Sequence, residues 1–301
     1  MLAERQSILE ELTPPFQILA PHAQRVPFVF CSPHSGAVYP RAFIAAARLD
    51  RHALRKSEDV LVDQLFSGVP ALGAPLISAR FPRAFVDVNR EPYELDPELF
   101  EGPLPPFANS QSMRVAGGLG TIARVVADAE EIYPRDGRPS LGAALQRIEL
   151  LYTPFHAALQ GLITATRRHF GTAVLVDCHS MPSTSMARPG SGNRPDIVLG
   201  DRFGASCDAR VTRAAREAFS ALGLNVQLNR PYAGGYITEH YGRPYDGVHA
   251  LQIEINRSLY LDEATLDPLP SFDQLRAGLA SAAARMMRDL STVFPGRMAA
   301  E

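Results

Sequence analysis

Cysteine is scarce, with three in 301 residues, and two of them (Cys31 and Cys178) lie inside apolar runs. Three cysteines so placed make no disulfide framework, and reduced buried thiols are expected. An excess of one charge is also missing: 30 Lys and Arg face 32 Asp and Glu, for a formal net charge of −2. Without a basic stripe, neither nucleic acid nor an anionic membrane surface is expected as a partner. No window approaches the roughly 20 apolar residues of a membrane span, and Met1-Leu2-Ala3-Glu4-Arg5 opens no apolar signal core. A cytoplasmic protein is expected; the pattern says nothing of its oligomeric state. Internal repeats, coiled-coil heptads and a clean linker are lacking too. Gly117-Gly118-Leu119-Gly120 has neither the Lys-Ser/Thr of a P-loop nor the spacing of a dinucleotide fingerprint, so no nucleotide is read from it.

What is present is ample apolar content, 46% of the chain, and a regular alternation of strand and helix patterns. Strands are expected near 27–32, 74–77, 84–88, 173–178, 196–200, 226–228 and 250–257. Helices are expected over 40–55, from Ser57 to Phe66 with Glu58 and Asp59 in the first turn, over 141–168 with a break at Pro154, and over 209–222 and 272–290. Residues 1–26 read as a surface extension, 91–113 as a long loop of the kind that covers a site, and 182–195 as a Ser/Pro/Gly/Arg-rich loop. The alternation implies a single α/β domain spanning residues 1–301, built on a mixed, largely parallel central sheet.

The chemistry gathers where strands end. Val176-Asp177-Cys178-His179-Ser180-Met181 follows an apolar β-branched run, and Ser32-Pro33-His34-Ser35-Gly36 follows another. In open α/β sheets ligands bind at the carboxyl ends of strands, so two His-Ser pairs there suggest one site with two imidazoles. A catalytic zinc site takes three His or carboxylate ligands and leaves a position for water. His34, His179 and either Glu58 or Asp59 would supply that set. Glu254 sits in an apolar strand between Ile253 and Ile255, where an acid is costly unless paired or functional. It is the candidate general base. Arg80, Arg83 and Arg90 crowd one stretch beside Asn89, and their guanidinium forks suit an acidic substrate. Pro231-Tyr232-Ala233-Gly234-Gly235-Tyr236 is a glycine turn that brings backbone close to another group, and Tyr236 is a candidate substrate contact. Cys178, buried in its strand, is not read as a nucleophile. His156 and His169 read as surface or packing groups.

At these residues the sequence resembles the N-formylglutamate amidohydrolase family. The matching segments are Ser32-Pro33-His34-Ser35-Gly36 with Tyr39-Pro40, Glu58-Asp59 with Val62-Asp63-Gln64-Leu65, Arg80-Phe81-Pro82-Arg83, Asp87-Val88-Asn89-Arg90, Asp177-Cys178-His179-Ser180, Pro231-Tyr232-Ala233-Gly234-Gly235 and Glu254-Ile255-Asn256-Arg257-Ser258-Leu259-Tyr260. The resemblance implies a zinc-carboxypeptidase-like fold with helices on both faces of a mixed sheet. It implies hydrolysis of N-formyl-L-glutamate to formate and L-glutamate, the last step of one histidine-degradation route, with one Zn²⁺ per chain. By position, His34, His179 and Asp59 look like the metal ligands and Glu254 like the general base. Arg90 with Asn89 looks like a carboxylate-binding pair, and Arg80 or Arg83 like the oxyanion stabiliser. In the carboxypeptidases the third ligand is a Glu soon after the first His; Gly36 and Ala37 stand here instead, so that ligand comes from elsewhere in the chain. The same chemistry on another N-acyl amino acid or a short peptide, and a binding protein without turnover, are the competing readings.

Overall fold

The computed structural model describes residues 2–186 and 194–291. Residues 187–193, part of the loop expected over 182–195, and those beyond 291 lie outside the described residues. Seven strands form one sheet: β1 (Phe16–Leu19), β2 (Phe28–Ser32), β3 (Leu76–Ala79), β4 (Ala173–Met181), β5 (Ile197–Gly200), β6 (Val226–Leu228) and β7 (Val248–Asn256), in the order β1-β3-β2-β4-β7-β5-β6. The helices used below are α1 (Leu2–Glu11), α2 (Met113–Ala116), α3 (Thr153–Phe170), α4 (Ala209–Ser220), α5 (Tyr236–Tyr241) and α6 (Phe272–Ser291). The fold is mixed α/β, one sheet with helices around it, as expected.

The centre of the sheet follows from composition. Every residue of β2, β4 and β7 is buried, the pattern of parallel strands covered on both faces. β2 pairs with β4 and β4 with β7, both parallel, while β5 runs antiparallel to β7 and makes the sheet mixed.

Several local expectations give way. Residues 84–88 form no strand: the Phe85 and Val86 N–H groups both donate to Pro82 O, at 2.9 and 3.3 Å, and coil the chain into a turn. Their apolar run reflects burial, which periodicity alone cannot assign to strand, helix or turn. The helix expected from Ser57 spans only Val62–Leu65, because Leu61 at φ 61° stands in the left-handed region and stops any turn before it. Glu58 and Asp59 therefore lie in a loop. The stretch 40–55 is two short helices, Arg41–Ala46 and Arg51–Arg55, the second restarted by the Asp50 side chain accepting from Ala53 N–H. Ahead of Pro154 the chain passes through a π-turn at Ile148–Tyr152 and runs on as α3, so the proline, second in α3, does not interrupt it. Residues 1–26 are no mere extension, since they supply α1 and β1.

The described residues gather into two compact units, one within Met1–Gln17, Pro33–Val60 and Ser78–Ala158, the other within Ile18–Ser32, Leu61–Ile77 and Leu159–Glu301. In the first, Arg147 is wholly buried and fixes the packing around it. It donates to both Glu4 oxygens at 2.7 and 2.9 Å and to Tyr133 Oη at 2.9 Å, and lies 4.0 Å from the Phe85 ring centroid. That pairing holds α1, whose Ile8 is also buried. In the second, α4 and α6 pack against each other, burying Ala214, Ala215 and Phe219 on one side and Leu279, Ala283 and Met287 on the other. Because a buried guanidinium that loses its carboxylate stays uncompensated, Glu4→Ala is expected to lower unfolding free energy by about 2–4 kcal/mol. Urea denaturation checks this; an unchanged midpoint would show that the Glu4–Arg147 pair contributes nothing to stability.

Candidate active site

Side chains alternate along a strand, so Asp177 and His179 share one face of β4, and Gln252 and Glu254 share one face of β7. The parallel register pairs Asp177 with Gln252 and His179 with Glu254. An imidazole and a carboxylate are thus set side by side by the sheet itself. His179 Nε2 lies 3.0 Å from Asp177 Oδ1, and Asp177 Oδ2 accepts from the Thr238 hydroxyl of α5 at 3.3 Å. Gln252 Nε2 donates to Glu254 Oε1 at 2.9 Å, while Gln252 Oε1 accepts from Gly235 N–H at 2.7 Å. The glycine turn expected to approach another group does so here, and Tyr236 follows it at the start of α5, with its hydroxyl 3.2 Å from His240 Nδ1.

His34 stands two residues past the end of β2 and is 2% exposed. Its Nε2 is 2.7 Å from Asp87 Oδ1, which leaves Nδ1 facing Asp59 Oδ2 at 3.5 Å. The Asp59 N–H also donates to His34 O at 3.0 Å, tying the two loops together. The turn after His34 needs glycine: a Cβ on Gly36 would fall 2.1 Å from Phe81 O. Asp87 carries several partners at once. Besides His34 it takes Arg83 Nη2 at 2.9 Å and Arg90 Nη2 at 3.4 Å, and Asn89 N–H donates to its Oδ1 at 2.8 Å. Burial alone would raise its carboxyl, but the Arg90, His34 and Arg83 charges outweigh that and hold it well below the usual carboxylate range.

The sequence left Glu58 and Asp59 open as the third ligand, and the structure separates them. Glu58 accepts from Arg55 Nε and Nη2, both at 3.1 Å, and from the Tyr39 hydroxyl at 3.0 Å; burial pushes its carboxyl up, partly offset by Arg55. Asp59 instead joins His34 and His179: each offers one ligand atom, all within 4.8 Å of one another, and all three residues are buried. Donors about 2.0–2.1 Å from a zinc ion stand roughly 3.4 Å apart in a tetrahedron, a spacing inside the 4.8 Å limit within which these atoms lie. Two imidazoles and a carboxylate are the donor set a catalytic divalent site uses, and the aspartate on one nitrogen of His34, Asp87, is the usual kind of outer brace. The residues present therefore fit a metal.

The other candidates are placed as follows. Arg90 is 8% exposed; burial lowers its guanidinium to about 10, with Asp87 opposing. It donates from Nε to Leu119 O and from Nη1 to Asn89 O, both at 2.8 Å. Arg83, less buried, is held on Asp87. Arg80 turns its guanidinium to the carbonyls of Pro14, at 2.6 Å, and Glu11, at 3.3 Å. His156 Nε2 meets Val88 O at 2.8 Å as a packing group. Sequence reading did not give Asp177 a place beside His179, although Asp177-Cys178-His179 carried the signal, an acid two residues before a histidine on one strand.

The architecture and its donors define a class, an α/β protein with a two-histidine, one-carboxylate candidate metal group. The N-formylglutamate amidohydrolase family profile matches residues 26–261. The N-formylglutamate deformylase of Pseudomonas aeruginosa PAO1 is 28% identical over 275 residues, covering 91% of this chain and 94% of that protein. The enzyme of the same name from Pseudomonas putida is 28% identical over 248 residues, covering 82% and 86%. Among solved structures, N-formylglutamate amidohydrolase from Ralstonia eutropha JMP134 superimposes with a TM-score of 0.86 at 32% identity, covering 93% of this chain and 99% of that one. An Agrobacterium tumefaciens protein shares the fold, with a TM-score of 0.63 at 20% identity over 93% of this chain and 96% of that one. The chain belongs to the N-formylglutamate amidohydrolase family, as the resemblance implied.

The contrast between adjacent acids is testable. Asp59→Asn is expected to lose bound divalent metal after dialysis, whereas Glu58→Gln keeps it; metal analysis by mass spectrometry checks both. The reverse outcome would move the third ligand to Glu58.

Proposed function

We propose that this protein is a metal-dependent amidohydrolase that cleaves N-formyl-L-glutamate to formate and L-glutamate. The observation that carries the reading is the grouping of His34, Asp59 and His179 in a chain whose family match spans all three. His34, Asp59 and His179 would hold the ion, with zinc the expected metal. When bound, such an ion lowers the pKa of its water and polarises the carbonyl it faces.

The chain's own residues do the rest. Glu254 removes the proton of the attacking water and delivers it to the amide nitrogen as the C–N bond breaks. Gln252 orients that carboxylate from one side. Asn89 and Arg90 receive a substrate carboxylate. Arg83, whose guanidinium stands on Asp87, is assigned to the developing oxyanion, while Arg80, engaged with the Pro14 and Glu11 carbonyls, is assigned to holding the N-terminal segment. Tyr236 and the glycine turn border the acyl-amino-acid chain. Such an activity fits the terminal step of histidine degradation, and a cytoplasmic setting.

The assay is steady-state release of formate from N-formyl-L-glutamate, compared with N-acetyl-L-aspartate and a dipeptide. N-formyl-L-glutamate is expected to give the highest kcat/KM, and a chelator to abolish turnover until Zn²⁺ is restored. A flat profile across the panel would overturn the substrate assignment. Glu254→Gln is expected to lower kcat by about 10²–10⁴ with little change in substrate Kd. Turnover near wild type in that variant would remove Glu254 as the base.

A further inference from the structure

Just past β5 two side-chain-bearing residues stand in the left-handed region, Arg202 at φ 53° and Phe203 at φ 57°. Such backbone is unfavourable for residues that carry a Cβ, and it persists where neighbours hold it. The neighbours here are Asp201 and Asn229. Asn229 Nδ2 donates to Asp201 Oδ1 at 2.8 Å, and Asn229 Oδ1 accepts from Asp201 N–H at 3.0 Å and Phe203 N–H at 3.4 Å. Asp201 also accepts from Gly204 N–H at 2.9 Å and from the Thr212 hydroxyl of α4 at 2.8 Å. A left-handed pair held from so many sides points to a use for the direction it gives the chain.

That direction is toward the glycine turn. Arg202 N–H donates to Ala233 O at 2.7 Å, and the approach is so close that a Cβ on Gly200 would fall 2.7 Å from Ala233 C. The Arg202 stem lies over Gly234, where an added Cβ would meet Arg202 Cγ and Cδ, both at 3.2 Å. Its Nη2 pairs with Glu239 of α5 at 2.9 Å, and its Nη1 donates to Gly234 O at 3.4 Å. Gly234 O and the Gly235 N–H belong to one peptide group. A trans peptide is planar and points its carbonyl and its N–H in opposite directions. One orientation therefore serves both sides: Arg202 on the carbonyl, and Gln252 Oε1 on the N–H at 2.7 Å. Because that N–H can only donate, the amide oxygen of Gln252 faces it, and the amide nitrogen is turned to Glu254 Oε1 at 2.9 Å. Every link from Arg202 to Glu254 lies within the second unit.

We propose that Arg202 is a positioning residue that fixes the Gly234–Gly235 peptide and, through Gln252, the carboxylate of Glu254. It acts through the turn rather than on the substrate. The assignment rests on the reading of Glu254 as the base and names what holds that base from the far side of the glycine turn. A displaced base leaves substrate binding intact but loses its alignment with the attacking water, so the loss falls on kcat rather than KM.

The test compares metal-loaded wild type, Arg202→Met and Arg202→Lys on N-formyl-L-glutamate, each also in the Glu254→Gln background. Arg202→Met is expected to lower kcat about 3- to 30-fold, the range of one or two lost hydrogen bonds, with KM within about twofold. Arg202→Lys, which keeps a donor on a long stem, should recover most of that loss. The backbone bond to Ala233 O survives in both variants, so thermal melting should match wild type. In the Glu254→Gln background, Arg202→Met should change the residual kcat by less than about twofold. The same loss in both backgrounds, a loss mainly in KM, or wild-type kcat in Arg202→Met overturns the proposal. Glu254→Gln alone judges the base separately. The link itself is read without turnover, by NMR on protein carrying isotope-labelled glutamine: the Gln252 side-chain amide resonances should shift in Arg202→Met and in Glu254→Gln alike. Unmoved Gln252 resonances in Arg202→Met overturn the proposal even if the protein turns over nothing. Should Arg202→Met not fold, Arg202→Gln takes its place with the same expected outcomes.

Discussion

One carboxylate with almost no exposed surface sets the geometry of the first unit. Asp87 is 4% exposed, yet His34, Arg83 and Arg90 all stand within 3.4 Å of it. A buried carboxylate without partners would take up a proton, and buried arginines without an anion would be more costly still. Together they satisfy one another. The consequence for function is directional: Asp87 at Nε2 turns the other edge of the His34 ring toward Asp59. Asp87 itself is placed by backbone, since its N–H donates to Thr121 O at 2.8 Å and Asn89 N–H returns to its own carboxylate. A loop hydrogen bond thus fixes the ring orientation of a candidate metal ligand.

The second unit reaches the same end by sheet geometry. Neighbouring strands run about 4.8 Å apart and side chains alternate, so the β4–β7 register alone determines that His179 and Glu254 are neighbours. A slip of one residue by either strand would turn its own residue, His179 or Glu254, away from the shared face. Nine consecutive register pairs make such a slip improbable. The placement of His179 and Glu254 is therefore rigid, whereas that of His34 and Asp59 depends on turns, on Gly36, and on the Asp87 contacts.

This division explains what could be read from the sequence. β4 and β7 were legible because their apolar β-branched residues announce a buried strand, and the polar residues interrupting them, His179 and Glu254, stand out against that background. His34 was legible for a related reason, as a histidine just past an apolar run. The turn at 84–88 was not, because Ala84, Phe85, Val86 and Val88 are all buried and a buried turn has a strand's composition. The choice between Glu58 and Asp59 was equally hidden. Both are acids and both are 1% exposed; what separates them is Arg55 and Tyr39 on one side and His34 on the other, contacts that only the folded chain reveals. The order within 1–26 escaped notice because α1 is held by a partner 143 residues away, Arg147, rather than by its own periodicity.

Each of the two imidazoles lies beside a carboxylate, and the two carboxylates have different partners. Asp87 divides its charge among His34 and two guanidinium groups, whereas Asp177, beside His179, accepts from the neutral Thr238 hydroxyl. A carboxylate already compensated by arginines exerts less field on the ring beside it than one that is not. His34 thus stands beside a carboxylate that two arginines share, and His179 beside one that accepts from a hydroxyl. Within the first unit, the arginines around Asp87 lower the cost of bringing negative charge close to them.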